Sequence, residues 1–304
     1  MIPTASGKTQ AKHPRGDGPA TQASRLAATL DSVVFADGCQ LVSHAKQPSA
    51  MTREALLWTS QVEIQSVTSA IASHQVAAVN GLGQVWINNQ DLVLPKCKEF
   101  GWCGLAFDGA SNRVLNVTRM WEKDTLVVDL ETGLPVTRLE HSKSPLAITA
   151  SPSKPNVLFV CEWDSATVWD TRARIPLVET LAGNQLGGGG NGPLWAVDAA
   201  ESSFCVGGED RVVASMDDRK WRSFDLWKTP LKHDIVALAL ASSKRLVALG
   251  LDHEIAQCME KHSHRLYDNH RVFRARARWT GVCAAGDGEL YCRDAHGTLY
   301  SFNH

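Results

Sequence analysis

Short apolar runs alternate with turns along most of the chain. Val67-Thr68-Ser69-Ala70-Ile71-Ala72 is followed by Gln75 to Val79, Gly83 to Ile87 and Asp91 to Leu94, with breaks rich in His, Asn, Gly and Gln. Small and β-branched residues in runs this short predict strands, and little of the 3.6-residue periodicity of an amphipathic helix is present. The quartet recurs as Leu146 to Ala150, Asn156 to Cys161, Ala166 to Trp169 and Pro176 to Thr180. It recurs again as Ile235 to Ala241, Leu246 to Leu249, Glu254 to Cys258 and His264 to Tyr267.

Similar strand ends fall at Trp58, Trp86, Val128, Trp169, Met216, Cys258 and Tyr300, separated by 28, 42, 41, 47, 42 and 42 residues. A period near 42 is that of one four-stranded propeller blade. Seven such ends predict an all-β, seven-bladed β-propeller of four-stranded antiparallel blades over residues 21–304. The longest gap holds residues 183–193, with glycines at 187 to 190, and predicts a flexible loop between blades. The last blade offers only three strands, near Trp279 to Ala284, Glu289 to Cys292 and Thr298 to Phe302. A strand near Ser24 to Thr29 is therefore expected to close it, removing the free sheet edges. Residues 1–20, rich in Gly, Pro, Ser, Thr and Lys, are expected to form a disordered tail.

Trp169-Asp170 is the one literal Trp-Asp at a blade strand end. Together with the spacing, it makes the chain resemble the WD40-repeat propellers over about residues 21 to 304. That family usually places an Asp six residues before the Trp, as part of a hydrogen-bonded tetrad. Asn80 and Trp86 keep this spacing with Asn for Asp, and Asp294 and Tyr300 keep it with Tyr for Trp. Asp210 before Met216 and Asp252 before Cys258 keep the acid alone, and Asp164 stands five residues before Trp169. The tetrad is thus expected to be mostly degraded. The interruption from Ala45 to Arg53 and the run Val168-Trp169-Asp170-Thr171-Arg172 also resemble the WD40 subunit of the methylosome, the partner of a protein arginine methyltransferase. That resemblance implies a propeller without activity that presents substrates.

Net charge is -1, which argues against a general nucleic-acid binder. No run of about 18 apolar residues predicts a membrane span, and no secretory leader is visible, so an intracellular place, cytoplasmic or nuclear, is expected. The eight cysteines form no CxxC pair and mostly lie in apolar runs, as reduced core residues would.

Candidate chemistry is sparse. Ser6-Gly7-Lys8-Thr9 lacks the strand and first glycine of a phosphate-binding loop, and Arg15-Gly16-Asp17 reads as coincidence. His253, His262, His264 and His270 crowd one region without a zinc-site spacing. No catalytic set, cofactor, metal or small-molecule substrate is expected. Two partner-binding candidates remain. Trp163, Trp195 and Trp221 lie outside the strand-end set; they are either blade packing or aromatic anchors at the channel entrance. Arg271, Arg274, Arg276 and Arg278 form the strongest basic segment, and in an extended strand the last three would share one face. Such a ridge suits an acidic peptide or RNA, or else is a solvated edge. The expected function is a protein-binding scaffold or adaptor in a larger assembly, with an RNA-binding propeller as the alternative.

Overall fold

The computed structural model describes residues 25–29, 31–46, 54–70, 74–109, 112–186, 192–242, 245–259, 270–285 and 289–302, with the backbone alone at 224, 258, 259, 270 and 271. The expected tail, residues 1–20, lies outside them, as do 187–191 of the glycine loop. Gly183–Leu186 is a 3-10 turn that buries Leu186.

The described strands form seven antiparallel sheets in chain order. Blade one comprises Leu26–Ala28, Ser32–Asp37, Gln40–Ala45 and Ala55–Thr59; blade two Ile64–Ala70, Gln75–Asn80, Val85–Ile87 and Gln90–Leu92. Blade three comprises Cys103–Phe107, Val114–Arg119, Asp124–Asp129 and Leu134–Glu140; blade four Pro145–Ala150, Val157–Glu162, Ser165–Asp170 and Leu177–Ala182. Blade five comprises Leu194–Ala200, Ser203–Gly208, Val212–Asp217 and Arg222–Lys228; blade six Ile235–Ser242, Arg245–Gly250, Glu254–Met259 and His270–Arg274. Blade seven has Trp279–Ala284, Leu290–Asp294 and Leu299–Phe302. The first strand of each blade faces a central channel, and the last lies on the rim.

Two expectations at the ends of the chain are corrected. Leu26–Ala28 does not complete blade seven. It pairs with Ser32–Asp37, Leu26 opposite Phe35 and Ala28 opposite Val33, as the inner strand of blade one. The reason is proximity along the chain. A hairpin of three intervening residues, pinned by Thr29 N–H to the Ser32 carbonyl (2.8 Å) and Ser32 N–H to Thr29 Oγ1 (3.0 Å), closes at far lower entropic cost than a pairing across the whole sequence. With the frame shifted, Trp58 lies on the outer strand of blade one, not on a third strand, and stacks on Trp86 of blade two at 6.3 Å. The residue equivalent to Trp86 is His44, next to last in its third strand, and it lies 42 residues earlier, restoring the period.

The core is divided among the gaps between blades. Ile64, Val67 and Trp86 pack on Val34, Ala36 and Leu41 between blades one and two, and Phe159 stacks on Phe204 at 4.1 Å between blades four and five. The same kind of packing closes the ring: Leu26, Ala28, Val33 and Phe35 of blade one bury against Ala285 and Tyr291 of blade seven. The Arg293 guanidinium lies 4.0 Å over the Phe35 ring at this seam. Ring closure here rests on sheet-face packing, with no strand exchanged among the described residues.

Candidate functional site

The antiparallel register puts three sets of residues on one face of the ring. They are the starts of the inner strands, the turns between second and third strands, and the connections between blades. Cys103 pairs with Arg119, Pro145 with Glu162 and Leu194 with Gly208 at this face. Four tryptophans of blades three to five gather there. Trp102 immediately precedes the inner strand of blade three, and Trp195 is the second residue of that of blade five. Trp121 and Trp163 occupy the second turns of blades three and four.

Trp102 is 3% exposed and packs with Met120 and Leu146, with Trp121, Ile148 and Trp195 around them. Its ring lies over Gly104; a Cβ at Gly104 would meet the indole at 2.4 Å, so only glycine leaves this slot open. Trp121 is tied down, its indole N–H donating to the Phe100 carbonyl at 3.1 Å. Trp163 has a left-handed backbone, φ 53°, which costs a non-glycine residue about 1 kcal/mol or more. Two hydrogen bonds hold it: its N–H donates to the Ser144 carbonyl (3.2 Å) and its carbonyl accepts from Leu194 N–H (2.6 Å). Its side chain remains 43% exposed, edge-on to Trp195 at 6.4 Å.

Behind this mouth the channel encloses about 600 Å³. Its wall is mostly apolar, with Val67, Leu105, Ile148, Val236 and Leu238 among the lining residues, and Trp102 and Trp195 border it. The indole N–H groups of Trp102 and Trp195 are buried and have no acceptor among the described residues. Asp198, on the inner strand of blade five, supplies a carboxyl to the wall. It accepts from Leu240 N–H at 2.7 Å and Thr149 Oγ1 at 3.4 Å, joining blades four, five and six. Burial pushes its pKa up to about 6 despite these donors.

Of the three tryptophans singled out from the sequence, Trp163 and Trp195 come together at the mouth. Trp221 does not: it lies in the turn before Arg222–Lys228, on the opposite face, against Phe159 at 6.2 Å and under Lys154 Nζ at 4.8 Å. Trp102 and Trp121 were missed. The signal for Trp102 was available, since it and Trp195 both stand at the start of an inner strand.

The arginines do not share a strand face. The outer strand of blade six ends at Arg274, and a bend follows, so the alternation runs off the sheet. Arg274 is bound by Glu254 at 3.0 Å through Nε and 2.5 Å through Nη2, Arg276 is exposed in the bend, and Arg278 is half-buried beside blade seven. Burial, with the charge of Arg25, lowers the Arg278 pKa. The side chain of Arg271 and residues His262 and His264 lie outside the description. Among the described residues no group of three or more His, Cys, Asp or Glu side chains is placed to hold a metal ion, and no helix is long and apolar enough to cross a membrane.

The tetrad expected to be degraded is whole in blade four. Trp169 Nε1 donates to Thr167 Oγ1 (2.9 Å), Thr167 to Glu162 Oε1 (2.6 Å), and His141 Nδ1 meets the same carboxylate at 2.9 Å. The acid is Glu162, at the end of the second strand, and not Asp164, which pairs with Lys143 at the surface. Thr125 of blade three reaches His141 Nε2 at 2.8 Å, so the chain of bonds crosses between blades. Asp170 instead caps the following turn by accepting from Arg172 N–H at 3.0 Å. In blade seven, Tyr300 donates to Asp294 at 3.0 Å, as their spacing implied.

No protein-family model matches the chain, and no curated protein matches it in sequence. Solved structures do. A chain of the mitotic checkpoint complex is 14% identical with a TM-score of 0.75, covering 94% of this chain and 91% of that one. The WD40 β-propeller domain of Doa1 is 11% identical with a TM-score of 0.73, covering 93% of each. What is shared at such identity is the fold: this chain is a seven-bladed propeller, similar in fold to that WD40 β-propeller domain.

Proposed function

We propose that this protein is a non-catalytic scaffold that binds a peptide segment of a protein partner at the aromatic mouth of its channel. The observation that carries this reading is the pair of unpartnered buried indole N–H groups, Trp102 and Trp195, beside the exposed ring of Trp163. A buried donor without an acceptor is costly, and an extended peptide offers backbone carbonyls to meet it while an aliphatic side chain enters the apolar cavity. Large aromatic side chains in such pockets carry most of the energy of protein interfaces. The presentation of substrates to a methyltransferase, or of any cargo to an enzyme, is the finer form of this reading and rests on the sequence resemblance alone.

The test is an affinity selection from a random peptide display on the full chain, followed by binding to variants. Trp163→Ala and Trp195→Ala should each weaken the selected peptides at least about tenfold, as truncation of an anchor does. Peptides that bind both variants as tightly as the native chain would place the interface elsewhere. The RNA alternative has less support, because Glu254 already holds Arg274. If it held, binding to single-stranded RNA would weaken steeply with salt and with Arg276→Glu and Arg278→Glu.

A further inference from the structure

Two cysteines stand close together below the aromatic mouth. Cys97 lies in the connection leading to blade three, and Cys103 opens the inner strand of that blade. Their sulfurs are 3.9 Å apart. The Cys97 thiol is half-buried and Cys103 is buried, so an aqueous reagent reaches the first before the second.

The surroundings hold both sulfurs in place. Cys97 N–H donates to the Leu82 carbonyl at 2.9 Å, Gly101 N–H to the Gly81 carbonyl at 2.9 Å, and Lys98 N–H to Glu122 Oε1 at 3.0 Å. Arg119, locked on Asp124 through Nε at 2.7 Å, donates through Nη1 to the Pro95 carbonyl at 2.8 Å. Gly83 leaves the room that the Cys97 sulfur occupies: a Cβ there would come within 2.9 Å of it. The connection is thus fixed at both flanks, and closing the sulfurs to the disulfide length of about 2.05 Å needs a side-chain shift of about 2 Å.

We infer that Cys97 and Cys103 form a peroxide-oxidisable pair, Cys97 the attacking sulfur and Cys103 the resolving one, whose product is an intrachain disulfide. The chemistry of the two thiols is unequal in the required sense. The hydrogen bond from Cys103 holds the Cys97 thiol below the ordinary cysteine range against the effect of burial, with the Arg119 charge adding to it. The same hydrogen bond and full burial push Cys103 well above that range. The thiolate is the nucleophile, so Cys97 attacks one peroxide oxygen. The O–O bond breaks, the departing hydroxide takes a proton to leave as water, and Cys97 becomes a sulfenic acid. Cys103 sulfur then attacks Cys97 sulfur, the S–O bond breaks, and the Cys103 proton leaves with the hydroxyl as a second water. Two thiols lose two electrons and two protons, and one hydrogen peroxide becomes two waters. The ring so formed contains Phe100 and Trp102, so oxidation fixes the segment that carries one wall of the mouth. The disulfide forms whether or not the mouth binds a peptide, so the two readings fail separately.

The experiment treats the purified full chain with hydrogen peroxide, blocks remaining thiols with N-ethylmaleimide, and digests with trypsin. Cleavage after Lys96, Lys98 and Arg113 separates Cys97 from Cys103. The pair should therefore appear as a cross-linked species, Cys97-Lys98 joined to the peptide from Glu99 to Arg113, that splits on reduction. Cys97→Ser should abolish the species, and Cys103→Ser should leave a sulfenic acid on Cys97 that dimedone traps. Phenylarsine oxide, which bridges two neighbouring thiols, should protect both cysteines of the native chain from alkylation, a readout that needs no variant. Oxidation of Cys97 to sulfinic acid without the cross-link would overturn the pair, as would a link from Cys97 to any other cysteine.

Discussion

Blade four and the channel wall each bury a carboxylate, and the two fare oppositely. Glu162 is raised by burial, but His141, Thr167 and the Lys143 N–H surround it with donors, and the balance holds it below the ordinary glutamate range. Asp198 is raised by burial as well, and the donors from Leu240, Ala199 and Thr149 only partly offset this, leaving it near 6. Burial acts alike in both places. Each acid has three such donors, and what differs is that one of those on Glu162, the His141 ring, can carry a positive charge. One acid is ionised and built into a joint between blades; the other is a polar group in an apolar wall, close to the space that a ligand would fill.

The largest effect is expected on breaking the first of these. Glu162→Ala leaves the His141 ring, the Thr167 hydroxyl and the Lys143 N–H without their acceptor in a site whose side chains are 0% and 1% exposed for His141 and Glu162. Removing one member of a buried pair costs about 3–5 kcal/mol. The loss should appear as a lower urea midpoint with an unchanged slope. A loss below about 1 kcal/mol would mean that the bonds crossing from Thr125 to Trp169 do not join blades three and four energetically.

Glu162→Gln sharpens the same contrast. The amide keeps the shape and one acceptor oxygen but not the charge, so the expected cost at neutral pH is about 1–3 kcal/mol. Because the folded pKa of Glu162 is depressed, its ionisation contributes fully above the unfolded value and is lost as pH falls through the folded one. The gap between Glu162→Gln and the native chain should therefore narrow on acidification, measured by urea denaturation at several pH values. A gap that stays constant would assign the cost to shape, not to charge.

The blades were legible because a four-stranded unit with tight turns fixes the repeat length near 42 residues whatever the side chains are. Blade one was misframed because its conspicuous tryptophan, Trp58, belongs to an outer strand, while the position that keeps the period carries His44. Ring closure was misread for a different reason. Apolar content marks Leu26–Ala28 as a strand, but which neighbour it joins depends on the turn at Thr29 and on packing against Ala285 and Tyr291, contacts between opposite ends of the chain. In blade four a fixed six-residue spacing overlooks Glu162, whose longer side chain reaches the tetrad from the strand itself while Asp164 faces Lys143. Half of the mouth, Trp163 and Trp195, was legible as aromatics outside the repeat. Trp102 carries the same mark, an aromatic at the start of an inner strand, but the contact that seats it in the mouth, Gly104 leaving room for its ring, appears only in three dimensions.

The smallest effect, and the one of opposite sign, belongs to Asp198→Asn. The native carboxyl titrates near 6, against about 3.8 for an ordinary aspartate. Between these values the folded chain holds a proton that the unfolded chain has released, so stability falls as pH rises through the window and levels off above it. Asparagine does not ionise. Its carbonyl oxygen can still accept from Leu240 N–H, and its amide can donate to Thr149 Oγ1, so the bonds to blades four and six survive. A shift of this size corresponds to about 3 kcal/mol if the site were dry. The buried carboxyl lies in the channel wall and not in a dry core, so the expected gain at pH 7.5 is about 1–2 kcal/mol, disappearing near pH 4. Urea denaturation of both chains at the two pH values measures it. A gain equal at both would sever the link to ionisation. A loss at pH 7.5 would mean that the charge of Asp198 is stabilised within the channel, and would overturn the contrast with Glu162 altogether.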